Sequence, residues 1–352
     1  VAELTDVRKI RGGRQALTAL ALLASACATP AAEIGDDPAP SPPAATATAD
    51  DGPSTGSDLL AFDGSLEPDQ PFAMPYGVDV ASDGRVYVFD AGNNRVVVFD
   101  ADGTEIGGWG GEGTGPGQFS SLGFGGLAVG DDDSVHVVDN GNHRVQVFDP
   151  DGTFRFAFGR AGTGRGSFDR AIGIAVTDGE IHVTDDASPW VQVFDADGMM
   201  VRRYGGPGRG PGGLAHPTGI AIADDGSAWV ADYENEQVVH YDATGAFVGV
   251  WRDPGPAGTA RTPEGLALRA DGTTLVTSYR DGQLAVLPER FGETAWPVAG
   301  GGPAVDDGGL RNPVDIAVAS DGAVYVTDQT ADAVARFRPV RRRQRLPPSA
   351  RG

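Results

Sequence analysis

Chemistry at neutral pH needs a nucleophile, a proton carrier or a metal ligand, and this 352-residue chain is sparing with all three. It has five histidines and one cysteine, Cys27. A catalytic zinc ordinarily takes three protein ligands. His136 and His182 fall mid-strand in a repeating column with Tyr87, Trp229 and Tyr325, where packing between sheets is the simplest role. His143 lies in a loop and His240 in another strand, which leaves His216 as the one histidine at the start of a strand near other polar groups. Cys27 has no internal partner for a disulfide, and no Ser-His-Asp or Cys-His arrangement can be read from spacing. Carboxylates are plentiful, with 49 Asp and Glu against 27 Lys and Arg. The Asp-x-Asp-Gly tetrads at 100–103, 149–152 and 195–198 open as a calcium loop does but lack its later ligands and closing Glu, so they read as hairpin turns. No catalytic residue and no metal ligand is assigned. No cofactor is expected; oxygen-only calcium binding by Asp79, Glu264 and Asp315 is open but has no support from spacing.

The elements that would position these groups repeat six times. Gly77-Val78-Asp79-Val80, Gly126-Leu127-Ala128-Val129, Gly173-Ile174-Ala175-Val176, Gly219-Ile220-Ala221-Ile222, Gly265-Leu266-Ala267-Leu268 and Asp315-Ile316-Ala317-Val318 are near copies, at steps of 49, 47, 46, 46 and 50 residues. A period in the forties, rich in β-branched residues and Gly turns, means one sheet per repeat. The second repeat shows the plan: strands at 126–129, 135–138, 144–148 and 154–158, joined by Asp-rich turns and an Asn-Gly loop. That is a four-stranded meander with Asp-Gly turns. Six such sheets bury both faces only by packing radially, so the fold class is all-β, a six-bladed β-propeller of four-stranded antiparallel blades. The column Ala128, Ala175, Ala221, Ala267 and Ala317 reads as small residues near the axis. The sixth repeat lacks a fourth strand, and Leu59-Leu60-Ala61-Phe62 is apolar and otherwise unexplained. This N-terminal strand is expected to close the last blade and so hide an open edge.

In such a meander the first-to-second and third-to-fourth turns share one end, and these are tight. The second-to-third loops and the links between repeats share the other, where a ligand is met first. Residues opening the first strands ring the central channel at that end: Tyr76, Arg170, His216, Thr218, Glu264 and Asn312, with Asp79 and Asp315 slightly deeper. A mouth lined this way is a candidate small-molecule site. Each residue also has a plain structural role to fill: Tyr76 as a plug, Arg170 paired with Glu264, Asp79 on backbone amides.

Outside the repeats the chain changes character. Arg8, Lys9, Arg11 and Arg14 precede an apolar run over 16–26, too short to span a bilayer core and suited to a signal peptide over residues 1–26. Residues 27–57 are rich in Pro, Ala and Asp, with no aromatic side chain, and read as a disordered tether. The propeller is assigned to 58–340 and a basic tail to 341–352, where Arg341, Arg342, Arg343 and Arg345 are suited to anionic lipid heads or to solvent. Net charge is −22, yet residues 28–335 alone carry 16 basic and 47 acidic residues. A body this acidic repels phosphate backbones, so nucleic acid is excluded as a partner.

Two resemblances extend this reading. Ala24-Ser25-Ala26-Cys27 resembles the bacterial lipoprotein processing box, which implies lipid attachment at Cys27, although Ala24 stands where that family prefers Leu. Val88-Phe89-Asp90-Ala91-Gly92-Asn93-Asn94-Arg95-Val96-Val97-Val98-Phe99 and Val137–Phe148 resemble the NHL repeat, as do Pro75-Tyr76-Gly77, Pro217-Thr218-Gly219 and Pro263-Glu264-Gly265. Repeat five departs most, with Ser278-Tyr279-Arg280-Asp281-Gly282 in place of the loop motif. The resemblance implies a propeller and is weak for activity, since such proteins include interaction platforms, sensor domains, RNA binders and amidating lyases. The expectation is an extracytoplasmic module, lipid-anchored at the cell membrane or secreted, monomeric, binding a protein, peptide or glycan on its loop-rich face. The alternative is a metal-dependent lyase or lactonase-like hydrolase with its site in the channel.

Overall fold

The computed structural model describes residues 60–252, 261–288, 291, 296–300 and 308–340. The expected signal peptide, the tether with Cys27 and the basic tail lie outside them. Six four-stranded antiparallel sheets follow one another along the chain. Blade 1 is built from Pro75–Val80, Val86–Asp90, Arg95–Phe99 and Glu105–Gly110, and blade 2 from Leu127–Val129, Val135–Asp139, Arg144–Phe148 and Phe154–Phe158. Blade 3 holds Ala171–Thr177, Glu180–Asp185, Ser188–Asp195 and Met200–Gly205; blade 4 holds Pro217–Ile222, Ala228–Asp232, Gln237–Tyr241 and Phe247–Arg252. Blade 5 consists of Pro263–Leu268, Thr274–Ser278, Gln283–Val286 and Trp296–Gly300.

Blade 6 takes three strands from the end of the chain, Pro313–Val318, Val324–Asp328 and Ala333–Pro339, and its outermost strand from the start, Leu60–Ser65. The expected latch therefore forms, with Leu60 opposite Pro339 and Phe62 opposite Phe337. Leu59 lies outside the described residues. The rings of Phe62 and Phe337 meet edge-on at 5.9 Å, and Arg336 and Arg338 reach Asp63 at 3.0 and 2.7 Å. The latch thus couples apolar burial to a charge pair across a sequence separation of more than 270 residues, which closes the ring and removes a free edge.

Alternation explains why the strands bury both faces. Val86, Val88 and Val97 face blade 6 alongside Ala317, Tyr325 and Val334, while Phe89, Val96 and Val98 pack with Leu127, Val135 and Phe148 toward blade 2. The alanine column follows the same rule: Ala128, Ala221, Ala267 and Ala317 sit in the clusters between blades. A very close approach around the axis occurs two residues earlier, at the glycine column. A Cβ on Gly126 would lie 2.7 Å from the carbonyl oxygen of Ile172, and one on Gly219 would overlap that of Glu264. Glycine is needed here because neighbouring first strands touch backbone to backbone. Thr184, Thr277 and Thr327 stitch the same region, each taking an N–H from its own first strand and donating its hydroxyl to the next blade's first strand.

The Asp-Asn loop motif is a clasp. The buried carboxylate of Asp139 accepts from Ser120 N at 2.8 Å, Asn142 Nδ2 at 2.9 Å, Arg144 Nε at 2.8 Å and Gln146 Nε2 at 3.1 Å. Asp90, Asp232 and Asp328 likewise bind backbone N–H groups of the segment leading into their own first strand. Blade 5 has Ser278 at that position, and Asp281 takes over, accepting from Arg261 N at 3.2 Å and from the Ser278 hydroxyl at 2.6 Å. The departure in repeat five therefore keeps the function of the motif with different residues. A carboxylate can satisfy several buried donors at once, which is why an acid, without a metal, suits this role.

Candidate functional site

First strands begin at the loop-rich end of the ring, and three of the residues that precede a column glycine, Tyr76, Ile172 and Glu264, line the throat. Blade 1 contributes Tyr76. Its ring is buried among Leu127, Ile172 and Val314, from blades 2, 3 and 6. Its hydroxyl crosses the channel and donates to Glu264 Oε1 of blade 5 at 2.7 Å. Tyr76 is thus a plug tied to the opposite wall. Beside it lies a cavity lined by Tyr76, Glu264, Asp315 and the backbone of Gly126, Gly173 and Gly219. The centre of a water molecule has about 20 Å³ there, room for one or two waters. A cavity of this size is too small for an organic ligand.

Three carboxyls share this interior, and among the described residues no cationic side chain is bonded to them. Burial pushes the Glu264 carboxyl up to about 8 against the hydrogen bond from Tyr76, and the charges of Asp186 and Asp315 add to the push. Burial also raises Asp315 to about 7, although it accepts N–H bonds from Val78 at 3.1 Å and Ile316 at 2.9 Å. Asp79 rises to about 6 by the same cause, opposed by N–H bonds from Val129 and Val80, each at 2.8 Å. The Tyr76 hydroxyl is held well above its ordinary value, first by burial and then by Glu264. A carboxyl protonated near neutrality can serve as a general acid. Here Glu264 lies beneath the plug with one oxygen already engaged.

The structure brings Tyr76, Glu264 and Asp315 together. Asp79 is near Asp315 but does not line the cavity, and its two oxygens are taken by backbone N–H groups. The calcium trio does not converge: among the described residues no group of three or more His, Cys, Asp or Glu is placed to hold a metal ion. Arg170 pairs with Asp186 at the mouth, so its expected pairing with Glu264 is replaced by a nearer partner in its own blade. His216 is exposed on the rim. Thr218 is buried, with its hydroxyl on blade 5 carbonyls. Asn312 donates to Tyr279 O at 3.0 Å and accepts from the Thr330 hydroxyl, fixing the rim between blades 5 and 6.

Several rim residues escaped the sequence reading. Asp186, Tyr233, Tyr279 and Gln329 each follow the last residue of a second strand. Their N–H groups bind the carbonyls of Arg170, His216, Thr262 and Asn312, which sets this column on the rim beside the first-strand openings. The column was readable from the repeat, but its residue types vary from blade to blade, with only Tyr recurring, and gave no motif. Tyr233 and Tyr279 meet edge-on at 6.4 Å, with the Arg280 guanidinium 5.2 Å from the Tyr233 ring centre. Gln329 ties the rim by donating to Gly123 O at 2.9 Å and accepting from the Tyr279 hydroxyl at 3.3 Å. On the other side stand Met74, Leu122 and Phe124, 43%, 74% and 40% exposed. Phe124 packs edge-on against Tyr76 at 5.9 Å. Met74 lies against Gly123, and its N–H donates to Asp332 at 2.7 Å.

NHL repeats are found at residues 72–99 and 125–148, and a family described as a 6-bladed beta-propeller matches residues 168–254. No curated protein matches the chain in sequence. Among solved structures, a streptogramin B lyase aligns with a TM-score of 0.57 at 17% identity, over 82% of this chain and 100% of its own. A gluconolactonase from Xanthomonas campestris aligns at 0.58 and 15% identity, over 78% of this chain and 89% of its own. A protein of unknown function from Bacteroides thetaiotaomicron gives 0.59 at 16%, over 79% and 72%. At these identities the likeness is one of fold.

Proposed function

We propose that this chain is a binding module: an NHL-repeat propeller, presented outside the cytoplasm on a lipid anchor at Cys27 or secreted, that holds a protein, peptide or glycan on its loop-rich face. One observation carries this reading. The throat is stoppered by the Tyr76–Glu264 hydrogen bond, while apolar side chains are left exposed on the rim around it. Met74, Leu122 and Phe124 stand together on this rim and offer a contact surface, although other exposed apolar side chains, Met199 and Phe247 among them, lie at the tight-turn end. The acidity of the body supports partners other than nucleic acid.

The second reading is a lyase or lactonase acting in the channel. It is favoured by Glu264 and Asp315, whose carboxyls titrate near neutrality, in a fold also used by a streptogramin B lyase and a gluconolactonase. Elemental analysis of the purified protein, paired with co-purification from membranes using a tagged chain, separates the two. The binding reading expects no stoichiometric metal and a partner that is lost on changing rim residues. Stoichiometric calcium or zinc that disappears with Glu264→Ala, together with turnover of a lactone or depsipeptide, would establish the enzyme.

A further inference from the structure

We infer that the loop-rich mouth takes a basic peptide segment, with an apolar side chain on Met74, Leu122 and Phe124 and a Lys or Arg side chain directed at the exposed carboxylate of Asp332 beside them. This names the partner class of the binding reading proposed above and rests on it.

Tyr76 sets the geometry. One edge of its ring contacts Phe124, and its hydroxyl is on Glu264, so the apolar patch and a carboxyl of the throat lie one side chain apart. A second carboxylate flanks the patch from outside: Asp332 is exposed, with Oδ1 on the Met74 N–H. Across the mouth, Asp186 stands close enough to Glu264 to raise its pKa. Two of the nearby cations are engaged, Arg170 with Asp186 and Arg280 over the Tyr233 ring. The Arg280 stack also demonstrates that an aromatic face of this rim accepts a guanidinium. Asp186 is already paired with Arg170, and Glu264 is buried beneath the plug with its carboxyl raised to about 8. Asp332 is therefore the carboxylate that a ligand on the patch meets: a neutral apolar ligand would leave it without a counter-charge, and an acidic one would be repelled by it. A basic side chain beside an apolar one complements both parts of the surface, and the net negative body steers such a ligand inward. The exposed Leu and Phe supply the anchor, the guanidinium or ammonium the orientation.

The test uses the full chain and three fluorescein-labelled hexapeptides of alternating sequence: Leu-Arg, Leu-Gln and Leu-Glu. Fluorescence anisotropy is expected to show saturable binding of the Leu-Arg peptide, weakened at least tenfold by the double change Leu122→Ser and Phe124→Ser, and also by raising salt from about 50 to about 500 mM. Ile106→Ser, at a 54% exposed site on the outermost strand of blade 1, is expected to leave binding unchanged. Phe124→Leu, which keeps the apolar contact, restores it. Because these side chains are exposed, the fold is not at stake, and a matching thermal melt verifies this. Equal affinity for the Leu-Glu peptide, or insensitivity to the rim double change, overturns the inference. If the Leu-Gln or Leu-Glu peptide binds the mouth in place of Leu-Arg, the basic-segment inference fails while the binding module stands. If none of the three binds and the protein carries stoichiometric metal with hydrolytic activity, both fail.

Discussion

The two ends of the propeller use the same residue type in opposite ways. At the tight-turn end, aspartates face water and accept N–H groups of their own turns: Asp151 from Thr153, Asp195 from Asp197 and Met199, Asp242 from Thr244 and Ala246. Hydrogen bonds hold several of these carboxyls below their ordinary range, as those from Thr153 do for Asp151 and those from Thr244 and Ala246 do for Asp242. Partial burial pushes Asp132 up, but bonds from Ser134 and Arg155 outweigh it and bring the carboxyl down to about 2. In the channel that leads to the other end, Asp79, Asp315 and Glu264 are pushed up because burial outweighs every bond they accept. The difference teaches that an acid-rich composition is several populations: turn formers that favour folding when ionised, clasps that hold the blades, and channel carboxyls that oppose folding when ionised.

This contrast can be broken by substitution, and the clasp gives the largest effect. Asp139→Ala strips a buried acceptor from Ser120, Asn142, Arg144 and Gln146, and should cost about 3–5 kcal/mol in urea unfolding, as removal of one partner from a buried charged network does. Glu264→Gln sharpens it next. A carboxyl whose folded pKa is raised favours the folded state while protonated, and that advantage is lost as pH rises from about 4.5 through about 8. The Gln variant should therefore match the parent near pH 4 and exceed it by on the order of 3 kcal/mol near pH 9, measured as paired urea melts. Asp132 has the reverse sign: its contribution is present above the ordinary carboxyl range and fades as pH falls through about 2. Tyr76→Phe removes a single hydrogen bond across the throat and should lower stability by about 1 kcal/mol while admitting more water beneath the plug. Asp151→Ala, at a fully exposed turn, should barely move the unfolding midpoint.

Much of the fold was legible because it repeats. Six near copies of one first-strand motif, four of them Gly-x-Ala, together with the Asp-Gly turns and one unpaired apolar segment dictated the blade count and the closure at Leu60–Ser65. The clasp was readable as structural for the same reason, since Asp90 and Asp139 recur with their loop partners. The site was only half legible. Tyr76 and Glu264 were placed at the mouth because they open first strands beside the channel, and Asp315 stands where the other five repeats carry Gly. Met74, Leu122 and Phe124 lie in segments that break no pattern, and their exposure depends on how the link into blade 2 folds over blade 1. The pairing of Arg170 with Asp186 rather than Glu264 depended on a loop conformation that spacing alone does not determine.

The chain's three methionines offer the most direct test of the claim that the mouth is the working surface. Met74 sits on the rim, whereas Met199 and Met200 sit at and just beyond the tight turn of blade 3. With carbon-13 methyl labels on methionine alone, titration with the Leu-Arg hexapeptide should move the Met74 signal and leave those of Met199 and Met200 in place. Movement of Met199 or Met200 with Met74 unchanged would place the contact at the opposite end and contradict the account.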